Sequence, residues 1–161
     1  MAFRPSIAPI KVGIFRLINH DPFDHIVNRI KALLHEQNIN CKVDSSSGSV
    51  GRRYARADEL GIPFGITVDF QSLLDNSVTL RDRDSTNQVR VPFNSLLGLI
   101  LQLVNESINW SAVMARYVVV KASGFDSEDD AKPNSSPTTS STIVQYSSRG
   151  SFSRPNFSVV K

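Results

Sequence analysis

Apolar and polar residues near the start of the chain follow two successive patterns. Residues 8–18, APIKVGIFRLI, are mostly apolar and rich in β-branched side chains, which predicts a buried strand. Asp21 and Pro22 then fit a helix N-cap and a first helical position, and apolar residues recur from there at helical spacing to about Gln37. A strand followed by an amphipathic helix is therefore expected.

The same succession occurs a second time. CKVD, residues 41–44, predicts a short strand, residues 50–60 predict a second helix, and PFGITVDF, residues 63–70, predicts a third strand. Strands and helices that alternate at this length favour parallel strands with helices packed on the faces of the sheet.

A hairpin and a buried helix follow. SVTLRDRD (77–84) and QVRVPF (88–93) flank the polar turn STN and predict an antiparallel pair. FNSLLGLILQLV (93–104) is apolar on nearly every side but too short for a membrane span, so it predicts a buried helix. NWSAVMARY (109–117) predicts a short closing helix.

Together these elements predict an α/β domain over residues 1–121, with a mixed, mostly parallel sheet of five strands flanked by about three helices. The composition changes at about Ala122, after which Ser, Thr, Pro, Asn and acidic residues dominate. Residues 122–161 are therefore predicted to be a disordered tail and a candidate for phosphorylation.

Charge and cysteine content narrow the function classes only a little. The formal net charge of the 161 residues is +3, which is compatible with RNA binding but too small to imply it. Cys41 is the only cysteine, and the histidines show no ligand spacing with carboxylates, so neither an intrachain disulfide nor a metal site is expected. The sequence has no run of about 18 apolar residues and no secretory signal pattern, which predicts a soluble intracellular protein without a membrane partner.

The second predicted helix begins with three cations, Arg52, Arg53 and Arg56. Positive charge at a helix N-terminus opposes the macrodipole, and arginines at i and i+4 repel each other. Arg56 can form a surface ion pair with Glu59 at i+3, whereas no acid of the helix lies at i+3 or i+4 from Arg52 or Arg53. These two guanidinium groups are therefore expected to have a partner outside the helix.

The region around this helix is rich in charge but neutral. Residues 42–90 contain seven cations and seven acids, and Arg81 or Arg83 can pair with acids across the hairpin. Such a balance argues against general electrostatic capture of nucleic acid and suits recognition of one specific polar partner. An exposed cytosine is such a partner, because its amino donor and two acceptors require a carboxylate or carbonyl beside an arginine.

Two long motifs, KVDSSSGSVGRRYARADELGIPFGITVDF (42–70) and TLRDRDSTNQVR (79–90), resemble the C-terminal anticodon-binding domain of eukaryotic-type glycyl-tRNA synthetases, a class II aminoacyl-tRNA synthetase family. The likeness extends from residue 7 to residue 117. It implies a mixed sheet with flanking helices that binds the anticodon loop of glycine tRNA, in which the last two anticodon bases are cytosines.

The resemblance also implies roles for single residues. Arg52, the first arginine of GRRYAR, resembles the main cytosine reader, Thr67 a hydrogen-bonding threonine and Phe70 an apolar or stacking contact. Tyr54 is expected to pack in the core. The second choices for RNA contact are Asp44, Arg53, Arg81 and Arg83. They rank second because arginines at these positions could equally bind phosphates or stabilise the fold.

The resemblance covers no catalytic domain. The class II arginine motifs that hold ATP, a glycine-rich phosphate loop and a recognisable Ser, His and Asp set are all missing from the 161 residues, so this chain as given is not expected to activate glycine. No cofactor is expected in it, since ATP and magnesium would belong to a separate catalytic domain.

Three alternatives stay open at this point. The chain is a part of a glycine–tRNA ligase, a separate module that chaperones tRNA or regulates the synthetase, or a protein-interaction module that no longer binds RNA. The GRRYAR and LRDRDS motifs favour RNA recognition over the last of these. A cytoplasmic location is expected, with mitochondrial use also open, because any targeting segment would precede this sequence.

Overall fold

The computed structural model describes residues 3–18 and 21–121, so the predicted tail, residues 122–161, lies outside the described residues. Within them the chain forms six strands and five helices. In chain order these are β1 (Val12–Arg16), α1 (Asp21–Glu36), β2 (Cys41–Asp44), α2 (Val50–Glu59), β3 (Phe64–Val68), α3 (Phe70–Asp75), β4 (Ser77–Asp82), β5 (Gln88–Pro92), α4 (Phe93–Val104), α5 (Trp110–Arg116) and β6 (Val118–Val120).

All six described strands form one sheet with the order β2-β1-β3-β4-β5-β6. β1 lies between β2 and β3 and is parallel to both, with Val12 opposite Cys41 on one side and Phe64 on the other. The remaining neighbours, from β3 to β6, are antiparallel. The mixed α/β class is therefore confirmed, but the sheet has six strands instead of five, and three of its five strand pairs are antiparallel.

Two elements differ from the expectation for physical reasons. Asp69 does not continue β3, because its carboxylate accepts a hydrogen bond from the Ser72 N–H (3.0 Å) while its own backbone N–H donates to Ser72 Oγ (3.1 Å), and this capping box starts α3. β6 has only three residues at the edge of the sheet, and Val118 and Val119 are both exposed. The segment therefore has no alternation of apolar and polar residues from which a strand could be predicted.

The main core lies on one face of the sheet. Alternate residues of the strands, such as Val12, Ile14 and Ile66, point to this face and pack against α1, α4 and α5. α1 contributes the stripe predicted from its periodicity: Phe23, Val27, Ile30 and Leu34. α4 buries one side of its apolar surface on the same face, and in the part of the chain that the structure describes no helix combines the length and apolar character needed to cross a membrane.

The opposite face carries α2 and a smaller core around Phe15. The Phe15 ring lies across two glycines of neighbouring strands. A Cβ added to Gly13 would be 2.9 Å from Phe15 Cζ, and one added to Gly65 would be 3.1 Å from Phe15 Cε2. The ring can therefore lie close to the backbone only because both positions lack a side chain, and Ala57 and Tyr54 of α2 pack against it.

Replacement of Gly13 by alanine tests this packing. We expect Gly13→Ala to lower the free energy of unfolding by about 1–3 kcal/mol, because the fully buried ring must move to admit the methyl group. Gly98, on the exposed side of α4, has open space around an added Cβ, so Gly98→Ala should raise the free energy of unfolding by about 0.5–1 kcal/mol. Urea denaturation measures both, and equal effects of the two variants would contradict the account.

Candidate nucleic-acid interface

Helix α2 divides its face of the sheet into two clefts. The helix begins after Ser49, whose hydroxyl accepts a hydrogen bond from the Arg52 N–H (3.4 Å). A cleft of about 590 Å³ lies between α2, strands β3 to β5 and the start of α3. A second cleft of about 460 Å³ lies on the other side of α2, towards β2. We call these the large cleft and the small cleft.

The floor of the large cleft is polar because side chains alternate along a strand. Ile66 and Leu80 point into the main core, whereas their neighbours Thr67, Thr79 and Arg81 point to the α2 side. Thr67 and Thr79 lie directly opposite each other on β3 and β4. The walls of the cleft include Tyr54 and Asp58 of α2, Asp69, and Phe70 at the start of α3.

A network of polar contacts joins α2 to this floor. Arg81 Nη1 and Nη2 donate to the two carboxylate oxygens of Asp58, both at 2.9 Å, and Arg81 Cζ lies 4.8 Å from the centre of the Tyr54 ring. The hydroxyl oxygens of Tyr54 and Thr67 are 2.6 Å apart. Burial raises the pKa of Tyr54 above its ordinary value and outweighs the opposing effects of Thr67 and Arg81, so the phenol is neutral at physiological pH.

A second network holds the edge of the large cleft. Arg90 donates to both Asp69 oxygens, at 2.6 and 2.9 Å, and to Thr79 Oγ1 at 3.1 Å. Burial by itself would raise the pKa of Asp69, but the hydrogen bonds from Arg90 and Ser72 together hold it below its ordinary value. Asp69 therefore caps the N-terminus of α3 and also pairs with Arg90 of β5.

The three arginines of α2 lie in different environments. Arg52 is exposed, lines neither cleft, and its guanidinium has no hydrogen bond or ion pair within the described residues. Arg53 is only 4% exposed, and its Nε is buried without a partner among those same residues. Arg56 does not pair with Glu59 but donates to Ser46 Oγ at 2.6 Å.

Burial lowers the pKa of Arg53, while the nearby Asp44 carboxylate acts in the opposite direction. Asp44 lines the small cleft and accepts hydrogen bonds from the Ser46 N–H (2.8 Å) and hydroxyl. Burial would raise the pKa of Asp44, but these bonds and the charges of Arg56 and Arg53 lower it below its ordinary value.

Arg83 joins the segment that follows α2 to the start of the described chain. Its guanidinium donates to the carbonyl oxygens of Gly61 and Phe3, both at 3.0 Å, and forms an ion pair with the adjacent Asp84. Within the described residues, neither Arg81 nor Arg83 therefore forms the ion pair across the hairpin that the sequence allowed. Arg81 pairs with a helix and Arg83 with its own neighbour.

The structure thus brings Thr67, Phe70 and Arg81 together in the large cleft and places Asp44 in the small one. Tyr54, expected to be only core packing, also reaches the floor of the large cleft. The reasoning from sequence did not assign Asp58, Asp69 or Arg90 to the site. The capping box at Asp69 is a local signal that could have revealed one of them, whereas the partners of Arg81 and Arg90 are distant in sequence.

Comparison with known proteins identifies the family. The Anticodon binding domain family matches residues 7–103. The chain belongs to this family. It is 43% identical over 114 residues to a glycine–tRNA ligase of Drosophila melanogaster, which covers 70% of this chain and 15% of that ligase. It is 42% identical over 128 residues to the glycine–tRNA ligase of Caenorhabditis elegans, covering 78% of this chain and 17% of the relative.

Two further comparisons concern a mitochondrial ligase and a solved structure. Glycine–tRNA ligase 1, mitochondrial, of Saccharomyces cerevisiae is 42% identical over 110 residues, with 68% of this chain and 16% of the relative covered. The chain thus spans about one sixth of the length of these relatives. A prolyl-tRNA synthetase from Cryptosporidium parvum superposes with a TM-score of 0.62 at 22% identity, over 66% of this chain and 23% of the other, which supports the fold alone.

The pKa of Asp69 leads to a prediction for acid stability. A carboxylate with a folded-state pKa below its ordinary value of about 3.9 stabilises the fold above that pH, and this contribution is lost as the pH falls through the lower folded-state pKa. We expect Asp69→Asn to lower the free energy of unfolding at pH 7 by about 1–3 kcal/mol and to lose less stability than the wild type between pH 5 and 3.

Asp84→Asn is the matched control, because its carboxylate is 65% exposed in a single ion pair. It should change the free energy of unfolding by less than about 1 kcal/mol. Urea denaturation at several pH values measures both variants. A stability loss on acidification as steep in Asp69→Asn as in the wild type would count against the assigned role.

Proposed function

We propose that this domain binds the anticodon loop of glycine tRNA and serves as the anticodon-binding part of a glycine–tRNA ligase. The observation that carries the proposal is the large cleft, in which Thr67 and the exposed ring of Phe70 are next to the N-terminal turn of α2. Membership in the anticodon-binding family and the likeness to glycine–tRNA ligases support it.

The large cleft has the chemistry needed for an unstacked base. Its volume of about 590 Å³ is that of a small-molecule pocket, and its floor offers the hydroxyls of Thr67 and Thr79. Phe70 is 55% exposed, so part of its ring is accessible for stacking, and the ring also forms a T-shaped contact with Phe23. Single-stranded RNA is recognised through this combination of an aromatic surface and polar groups at the base edge.

Arg52 supplies the cation for direct reading of a base. It is adjacent to Gly51, which lines the large cleft, and its five guanidinium donors have no competing partner within the described residues. Asp44 is an acceptor on the far side of α2, suited to a cytosine amino group. Arg53, Arg81 and Arg83 are proposed to act mainly through the fold, because burial or internal hydrogen bonds occupy them.

Chemistry beyond tRNA binding is proposed to lie outside this domain. ATP, magnesium and glycine activation belong, in this proposal, to a catalytic domain that would be the second partner of this one. We also propose a cytoplasmic location, and the name of the yeast mitochondrial relative supports mitochondrial use in some members.

A binding measurement tests the proposal. The chain should bind an anticodon stem-loop of glycine tRNA more tightly, by about 1 kcal/mol or more, than the same loop with both cytosines changed, because direct base contacts discriminate by about 1–3 kcal/mol. Arg52→Ala should remove most of this difference while the circular dichroism spectrum stays unchanged. Isothermal titration at two salt concentrations measures it, and the difference should persist at the higher one.

Arg116→Ala is the charge-matched control. Arg116 is exposed at the end of α5, which packs on the opposite face of the sheet from α2, so its removal should affect both loops equally. If the two loops bind with equal affinity and this binding weakens as salt is added, base reading by the domain is contradicted. Discrimination that survives in Arg52→Ala would contradict the role of Arg52 alone.

Loss of the Phe70 ring should have a different signature. Stacking is tolerant of sequence, so Phe70→Ala should weaken binding of the original and the changed loop by a similar amount, about 1–3 kcal/mol. Leu74→Ala, on the same helix and 80% exposed, is the control for lost apolar surface and should leave both affinities unchanged. An effect of Phe70→Ala no larger than that of Leu74→Ala would exclude a stacking role.

A further inference from the structure

Tyr54 reaches from α2 to the floor of the large cleft, where its hydroxyl oxygen lies 2.6 Å from Thr67 Oγ1. Thr67 is 5% exposed and lines the cleft, so the direction of its hydroxyl decides what a ligand meets there. A threonine hydroxyl has one donor and two acceptor positions. Its partner within the protein therefore determines which of these is left for a base.

The Tyr54 side chain is itself held firmly. Its ring packs edge-on against the buried Phe15 ring, with centres 5.0 Å apart and an interplanar angle of 85°. Arg81 lies over the Tyr54 ring and is fixed in turn by its two hydrogen bonds to Asp58. The position of the Tyr54 hydroxyl is thus set by contacts on more than one side.

A phenol is a better hydrogen-bond donor than an aliphatic alcohol, since its pKa of about 10 makes its proton the more acidic. Donation from Tyr54 to Thr67 Oγ1 leaves the Thr67 proton free to point elsewhere. Thr79, directly opposite, repeats the arrangement, because its Oγ1 accepts from Arg90 Nη1 (3.1 Å). With Tyr54 as the donor, both threonine hydroxyls accept a hydrogen bond from the protein and keep a proton that can point into the cleft.

We infer that Tyr54 is a positioning residue that fixes the side-chain rotamer of Thr67 and directs its hydroxyl proton into the large cleft. This arrangement favours a ligand that presents hydrogen-bond acceptors, such as the O2 and N3 atoms of cytosine, over one that presents a donor. This inference rests on the proposed function, and it assigns Tyr54 a part in base specificity in addition to packing.

Tyr54→Phe is the variant of choice because it removes the hydroxyl but keeps the ring that contacts Phe15 and Arg81. The first measurement uses the full chain without RNA. Three-bond scalar couplings to the Thr67 methyl group should report one χ1 rotamer in the wild type and an average of rotamers in Tyr54→Phe. Unchanged couplings would overturn the inference.

The second measurement is discrimination between the original anticodon stem-loop and the loop with both cytosines changed. Tyr54→Phe should reduce the ratio of the two affinities by about fivefold, the usual effect of one hydrogen bond, and Thr67→Val by at least as much. In a Thr67→Val background, Tyr54→Phe should have no further effect on the ratio, because its action passes through the Thr67 hydroxyl. Additive effects would overturn the inference.

Tyr117→Phe is the matched control, since Tyr117 packs with the main core on the opposite face of the sheet. It should leave the Thr67 couplings and the affinity ratio unchanged. If the wild type does not discriminate between the loops, the proposed function fails, and the specificity role of Tyr54 fails with it. If the wild type discriminates and Tyr54→Phe retains the full ratio, the inference alone fails.

Discussion

The packing of the Phe15 ring across Gly13 and Gly65 is the contact on which the candidate site depends. Because the ring lies close to the backbone of β1 and β3, α2 can sit near the sheet, with Ala57 and Tyr54 against the ring. The Arg81–Asp58 ion pair then fixes the helix laterally. A larger residue at either glycine would lift α2 and separate Tyr54 from Thr67, so the polar floor follows from an apolar contact beneath it.

Most polar groups of the large cleft are engaged with one another before any ligand arrives. Asp58, Asp69, Arg81 and Arg90 form bidentate pairs, and the two threonine hydroxyls each have a protein partner. Such pairs limit reorganisation on binding, which is the usual requirement for a selective polar site. The groups left open are the Phe70 ring in the large cleft and the exposed guanidinium of Arg52, which lies outside that cleft on the first turn of α2.

The sequence predicts the larger elements well because their signals are local. The stripe from Phe23 to Leu34, the strand within residues 63–70 and the hairpin around residues 85–87 each have a signal that lies within a few residues, although β3 ends at Val68 and not at Phe70. β6 and α3 are short, and their stability comes from pairing with β5 and from one capping box. Local patterns therefore could not establish the strand count or the balance of parallel and antiparallel pairs.

For the candidate site, too, the sequence predicts only part of the arrangement. The resemblance and the charge pattern predict Arg52, Thr67 and Phe70 as site residues. A sequence does not reveal that Arg81 pairs with Asp58, 23 residues away, or that Arg53 is buried. Tertiary packing decides which of several arginines is free. RNA contact by each of these residues stays a prediction.

Alternation along β3 and β4 has a consequence for how such a domain can change over evolutionary time. Residues 66 and 80 support the main core, whereas 67, 79 and 81, next to them in the chain, form the floor of the large cleft. One face of the sheet carries most of the apolar burial, and the other carries the polar floor of the large cleft. New ligand preferences can therefore arise by exchange of alternate strand residues, while the hydrophobic core that holds the domain together keeps its sequence.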